Sequence, residues 1–184
     1  MPTFVPRFSI PSNTDLHWIN VNYGGYNRCI LGSPSYGTGS VLSNCVGYAW
    51  GRFIEECGLT NCNLSINQAS IWYLNTGDGY QRGSTPKLGA VICYDEINNG
   101  SGHVAIVEQI NYDSNNNITS IILSESVYNG VTFRLQTVYP SNNYRLYRGM
   151  TFQGFIYPPV NFDPVDTLTE EELACLLKKR RRYY

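Results

Sequence analysis

The chain has 184 residues, the size of a single domain, and 42% of them are hydrophobic, enough for a sizeable core and too many for a disordered chain. Only 15% are charged and the net charge is −1, which argues against an electrostatic nucleic-acid binder; tyrosine, glycine and asparagine make the surface polar but largely uncharged. Residues 1–160 are near neutral, residues 161–177 carry five acids and no base, and residues 178–182 read Lys-Lys-Arg-Arg-Arg.

Taken in chain order, residues 1–40 are rich in Pro, Gly, Ser, Asn and Tyr without helical period, which predicts an irregular arm with short strands and a turn at Tyr23-Gly24-Gly25-Tyr26. The opening MPTFVPRFSIPSNTD has two prolines in its first six residues and no long apolar stretch, so no secretory signal is expected. Residues 43–58 predict a helix: Ser43 or Asn44 can cap it, Val46, Ala49, Trp50, Phe53 and Cys57 form one apolar stripe, and Gly58 ends it. A second, shorter helix is predicted over residues 67–74, with Ile71, Trp72 and Leu74 inward. The remainder reads as β: strands over 89–94, 102–110, 118–126, 132–138 and 144–157, with a polar turn at 113–117. Helices first and an antiparallel sheet after them is the α+β pattern. Pro158-Pro159 closes this domain. Beyond it, Thr169-x-x-Glu172 is a capping box for a short helix with Leu173, Leu176 and Leu177 on one face. No apolar run approaches the roughly 18 residues of a membrane span.

Six cysteines (Cys29, Cys45, Cys57, Cys62, Cys93 and Cys175) in a chain with no expected signal favour reduced thiols over a disulfide framework. Cys57-x4-Cys62 has no partner pair and the chain has only two histidines, so no structural zinc is expected.

Cys45 falls in the first turn of a predicted helix, where the unpaired N–H groups favour a thiolate; a small buried apolar residue is the bland alternative. A thiolate nucleophile needs a histidine. His17 sits in the irregular arm beside Trp18 and reads as a packing residue. His103 follows Ser101-Gly102 at the mouth of a strand, where glycine permits close backbone approach. His103, Ala105 and Val107 share one strand face, so Glu108 points to the other and is a poor orienter. Glu125, on the returning strand, falls on the face of His103 if the turn has an odd number of residues; a three-residue loop would set the two directly opposite. A register pointing Glu125 to solvent remains the alternative.

Asn44-Cys45-Val46-Gly47-Tyr48-Ala49, Pro86-Lys87-Leu88-Gly89-Ala90-Val91, Gly102-His103-Val104-Ala105-Ile106-Val107-Glu108 and Leu123-Ser124-Glu125-Ser126, in that order, resemble the CHAP domain, the cysteine, histidine-dependent amidohydrolase/peptidase of cell-wall lysins. The resemblance runs over about residues 25–157. It implies a papain-like α+β fold with N-terminal helices packed on an antiparallel β-sheet. It also implies cleavage of a peptidoglycan amide bond, with Cys45 as nucleophile, His103 as base and Glu125 as orienter. Many members carry an asparagine two residues after this glutamate, where this chain has Val127. Residues 25–44 contain no Asp or Glu, so the calcium loop of some phage members is not expected, nor any other cofactor or metal. Tyr94, beside the 95–102 loop, is the expected substrate-lining residue. The domain plan is an N-terminal arm (1–24), a catalytic domain (25–158) and a C-terminal linker or helix with a basic end (159–184). The expected partner is bacterial peptidoglycan, with a further wall-binding module or a virion tail, and with no nucleic acid or membrane span. The expected protein is a phage endolysin or virion-associated lysin, made in a host cytoplasm and delivered to the wall through a holin or on the virion. A non-catalytic wall-binding or virion structural protein, or an amidase acting on a small non-wall amide, is the alternative.

Overall fold

The structure, a computed structural model, describes residues 2–12, 14–18, 40–65, 67–97, 100–128 and 130–162. The predicted turn at 23–26, Cys29, Cys175, the capping box at Thr169 and the basic run lie outside the described residues.

One α-helix, α1 (Cys45–Cys57), stands among the described residues. Both of its ends follow from the sequence. Asn44 is extended (φ −161°, ψ 127°), and its side chain accepts a hydrogen bond from the Gly47 N–H, satisfying one of the orphan donors of the first turn. Gly58 takes the left-handed conformation (φ 63°) that a side chain would disfavour and returns its N–H to the carbonyls of Glu55 and Ile54. Between them Ala49, Trp50 and Phe53 are buried.

The predicted second helix is absent; Ala69–Ile71 form a single 3-10 turn instead. Its would-be cap, Gln68, makes no side-chain cap bond. The Ser70 N–H donates across to the Ser101 carbonyl (2.9 Å), so it cannot serve a helical ladder. Trp72 is buried as expected, whereas Leu74 is 69% exposed.

Six strands follow: β1 (Arg82–Gly83), β2 (Val91–Glu96), β3 (His103–Tyr112), β4 (Ile118–Val127), β5 (Val131–Val138) and β6 (Met150–Ile156). They form one sheet in the order β1-β6-β2-β3-β4-β5, every neighbouring pair antiparallel. The last strand starts later than expected, because Asn143 and Tyr144 adopt positive φ (55° and 52°) in a turn. With one helix and one antiparallel sheet the fold is α+β.

Strand alternation divides the core. Val91, Cys93, Val104 and Ile106 pack in one cluster with Ala49, Trp50 and Phe53 of α1. Ala90, Ile92, Tyr94, Ala105, Val107, Leu123 and Phe155 make a second cluster on the other side. Polar bonds fix α1 on the sheet. The Tyr48 hydroxyl donates to Ser124 Oγ (2.8 Å), and Arg52 forks onto Glu108 through Nε and Nη2, both at 2.8 Å. The N-terminal arm is part of this body. Phe4 and Trp18 are buried, Trp18 Nε1 donates to the Tyr48 carbonyl (3.1 Å), and Arg7 pairs with Glu55.

Candidate active site

The N-terminus of α1 overhangs the end of the sheet where β3 begins and β4 finishes. The Asn44 N–H donates to Ser126 Oγ (3.0 Å), and that hydroxyl donates onward to the Val131 carbonyl (3.0 Å). The residue before Cys45 is thereby tied to the residue after Glu125.

Gly102 sets the position of His103. Its φ is +68°, and a Cβ there would lie 2.5 Å from the Tyr94 carbonyl oxygen and 2.6 Å from the Ser70 backbone. Only glycine lets the two chains pass so closely, and β3 starts with the imidazole as its first side chain.

The register of β3 and β4 settles the carboxylate. Ile106 lies across from Ser124 and Val107 across from Leu123, so the ladder extends to place Ala105 opposite Glu125 and His103 diagonal to it, on the same face. The sequence expectation of a directly opposite pair assumed a three-residue loop. The turn at 113–117 has an odd number of residues, as required, but it is longer, and the ladder shifts at Glu108 and again near Tyr112. The diagonal geometry still brings His103 Nε2 to 2.5 Å from Glu125 Oε2.

Both groups are buried, and Cys45 is half-buried. Burial alone disfavours a charged imidazole. Hydrogen bonds and charge from Cys45 and Glu125 overcome it and push the His103 pKa up to about 9. With Nε2 on Glu125, the ring nitrogen left for the Cys45 sulfur is Nδ1. Burial likewise works against an ionised Glu125, but His103 and Arg134 hold its carboxyl below the ordinary range. At neutral pH the ring is therefore an imidazolium facing a carboxylate on one side and sulfur on the other.

Glu125 has further partners that the sequence reading missed. Arg134, directly across on β5, donates through Nε to Oε1 (2.6 Å). The Tyr147 hydroxyl also donates to Oε1 and receives a bond from Arg134 Nη2, and the Tyr147 ring stands edge-on to His103 (centroids 5.6 Å apart, 74° between planes). The available signal was an arginine in the middle of a strand rich in Val, Thr and Phe; nothing local marks Tyr147.

Glu108 is on the helix side, as strand alternation predicts, and serves Arg52, Ser124 and the Arg7 N–H rather than the histidine. Tyr94 requires a correction. It pairs across from His103 on β2 but is 0% exposed, its ring packs against Phe152 and its hydroxyl donates to the Tyr144 carbonyl (2.8 Å). It is a core residue beneath the histidine and does not line an open cleft. His17 is buried with Nδ1 2.7 Å from Asp15.

The Asp15, His17 and Glu55 donor atoms lie within 4.8 Å of one another, the spacing of a metal site. Arg7 and Arg52 already contact Glu55, so the charge there is neutralised by guanidinium groups. A cavity of about 630 Å³ opens between Pro6, Phe8, Leu88, Ile110, Pro158 and Phe162, and neither Cys45 nor His103 lines it.

A thiol, an imidazolium and a held carboxylate at a helix N-terminus are a set of groups chemically able to carry out acyl transfer. The sequence profile of the CHAP domain matches residues 35–126, half of the chain and all three of these groups, and the chain belongs to the CHAP family. CHAP domains are hydrolases, amidases and peptidases, and the family points to peptidoglycan as the substrate. No curated protein sequence matches this one closely enough to count as a relative.

Proposed function

We propose that the protein hydrolyses an amide or peptide bond of bacterial peptidoglycan, with Cys45 as nucleophile, His103 as acid and base, and Glu125 holding the ring. The observation that carries this reading is the buried His103–Glu125 pair, Nε2 2.5 Å from Oε2, at the end of the sheet where α1 begins with Cys45. The Cys45 thiolate attacks the carbonyl carbon and forms a tetrahedral oxyanion, a charge that the backbone N–H of Cys45 at the start of α1 is proposed to hold. The C–N bond breaks as His103 gives its proton to the departing amine, leaving a thioester on Cys45. His103 then takes a proton from water, whose oxygen attacks the thioester and releases the acid. The finer reading is a phage endolysin or virion-associated lysin.

Digestion of purified peptidoglycan followed by mass spectrometry tests this. Each cut should leave one new amine and one new carboxylate, and the fragment masses identify the bond. Binding to insoluble walls without soluble fragments would favour the non-catalytic alternative, and turnover of free amides alone would move the substrate away from the wall.

A further inference from the structure

In a site of this design the ring is only as well placed as the carboxylate behind it, and here that buried carboxylate lies at the end of a partly exposed polar chain. Val127, two residues on from Glu125, offers no hydrogen bond to it. Arg134 and Tyr147 both converge on Oε1, leaving Oε2 for His103 Nε2. Arg134 also stacks on the Tyr147 ring (Cζ 5.1 Å from the centroid) while donating to its hydroxyl. One guanidinium thus fixes the carboxylate and the phenol, and Arg134 and Tyr147 both lie beyond residue 126, where the family match ends. We propose that Arg134 and Tyr147 are positioning residues that clamp Glu125 on His103, performing for this site what a neighbouring amide at position 127 cannot.

The physical argument is geometric. A glutamate has three side-chain torsions to fix, and Oε1 with no partner would leave the carboxylate able to turn away from Nε2. Arg134 is directly opposite Glu125 in the β4–β5 ladder, where side chains approach within direct contact, and its planar fork presents Nε to the carboxylate and Nη2 to the phenol at once. A lysine carries the same charge but cannot occupy both positions. The clamp sits at the edge of the site: the Arg134 side chain is 34% exposed and Glu125 is fully buried.

The inference rests on the proposed roles of Cys45 and His103, so its test includes a reaction that needs no peptidoglycan. Iodoacetamide alkylates a thiolate: sulfur displaces iodide, one S–C bond forms and one C–I bond breaks. The rate at Cys45, read by mass spectrometry of its peptide across pH, reports the thiolate–imidazolium pair whatever the natural substrate. Wall-lysis rates are measured alongside, for Arg134→Gln, Arg134→Lys, Tyr147→Phe, Glu125→Gln and the double variant Glu125→Gln/Arg134→Gln, all well below their melting temperatures.

Arg134→Gln should slow lysis about 10-fold or more and move the acid limb of Cys45 alkylation to higher pH, because an unpaired Glu125 takes up a proton more readily. Arg134→Lys should restore the acid limb but not the full rate, and Tyr147→Phe should slow lysis about threefold or more. In the Glu125→Gln background the Arg134 substitution should change the lysis rate less than twofold, since it acts through the carboxylate. Additive losses would overturn the proposal and make Arg134 a substrate-contacting residue. Unchanged lysis and an unchanged acid limb in Arg134→Gln would overturn it outright. If wild type lyses no walls, the function is misassigned, and the acid-limb shift alone decides the clamp.

Discussion

Glu108→Gln separates the two glutamates of β3 and β4, one built for stability and one for the site. Glu108 and Arg52 are both completely buried. Each carboxylate oxygen accepts two bonds: Oε1 from Arg52 Nε (2.8 Å) and Ser124 Oγ (2.6 Å), Oε2 from Arg52 Nη2 (2.8 Å) and the Arg7 N–H (2.7 Å). A glutamine fits the space, but its NH₂ must face donors at either oxygen position. Breaking a buried pair costs about 3–5 kcal/mol. Glu55, 2.7 Å from Arg52 Nη1, keeps part of the compensation and sets the expectation near the lower end of that range. For a chain of this length about 3 kcal/mol corresponds to a fall in melting temperature of roughly 6–12 °C. Thermal and urea unfolding measure it. At temperatures well below the transition the wall-lysis rate should stay within about threefold of wild type, because Glu108 faces away from His103. A melting temperature within 2 °C of wild type, taken as about the resolution of the expected shift, would refute the stabilising role of the pair. Lost activity at unchanged stability would refute the strand register.

Glu125→Gln should keep the fold and lose about 10- to 1000-fold in rate, read by wall lysis beside the melting temperature. His103 is raised above the ordinary histidine value to about 9, so its protonated form dominates through neutral pH and is lost as pH rises through about 9, where wild-type activity should decline. The same group contributes folding stability that is fully present below its ordinary value and lost over that alkaline range. Without the carboxylate's charge, the alkaline limb of Glu125→Gln should lie at lower pH; an unmoved limb would mean that Glu125 does not act on the ring. Gly102→Ala must place a methyl 2.5 Å from the Tyr94 carbonyl at φ +68°, and should cost about 1–3 kcal/mol in urea unfolding and displace His103 enough to lower the lysis rate as well.

What could be read from the sequence was what local chemistry dictates. Asn44 and Gly58 bound α1 because a side-chain acceptor and a left-handed glycine are local requirements. The shared face of His103, Ala105 and Val107, and the exclusion of Glu108 from it, followed from the two-residue period of a strand. What could not be read depends on partners far along the chain. Residues 67–74 carry a plausible helical pattern, but the Ser70 N–H is claimed by Ser101. The five-residue turn at 113–117 makes His103 and Glu125 diagonal rather than opposite, and the two ladder shifts, at Glu108 and near Tyr112, cancel each other. Tyr94 stands beside the right loop in sequence, yet its side chain enters the core toward Tyr144. Arg134 and Tyr147 reach Glu125 from β5 and from the segment before β6, and only the assembled sheet brings them there.

The most direct test of the account is turbidity clearing of purified bacterial walls by wild type and Cys45→Ala at matched melting temperature. In the proposed mechanism Sγ forms the bond to the substrate carbonyl, and alanine has no atom to replace it. Clearing by wild type and none above the enzyme-free background by Cys45→Ala is the predicted result; equal clearing by both would contradict a cysteine mechanism.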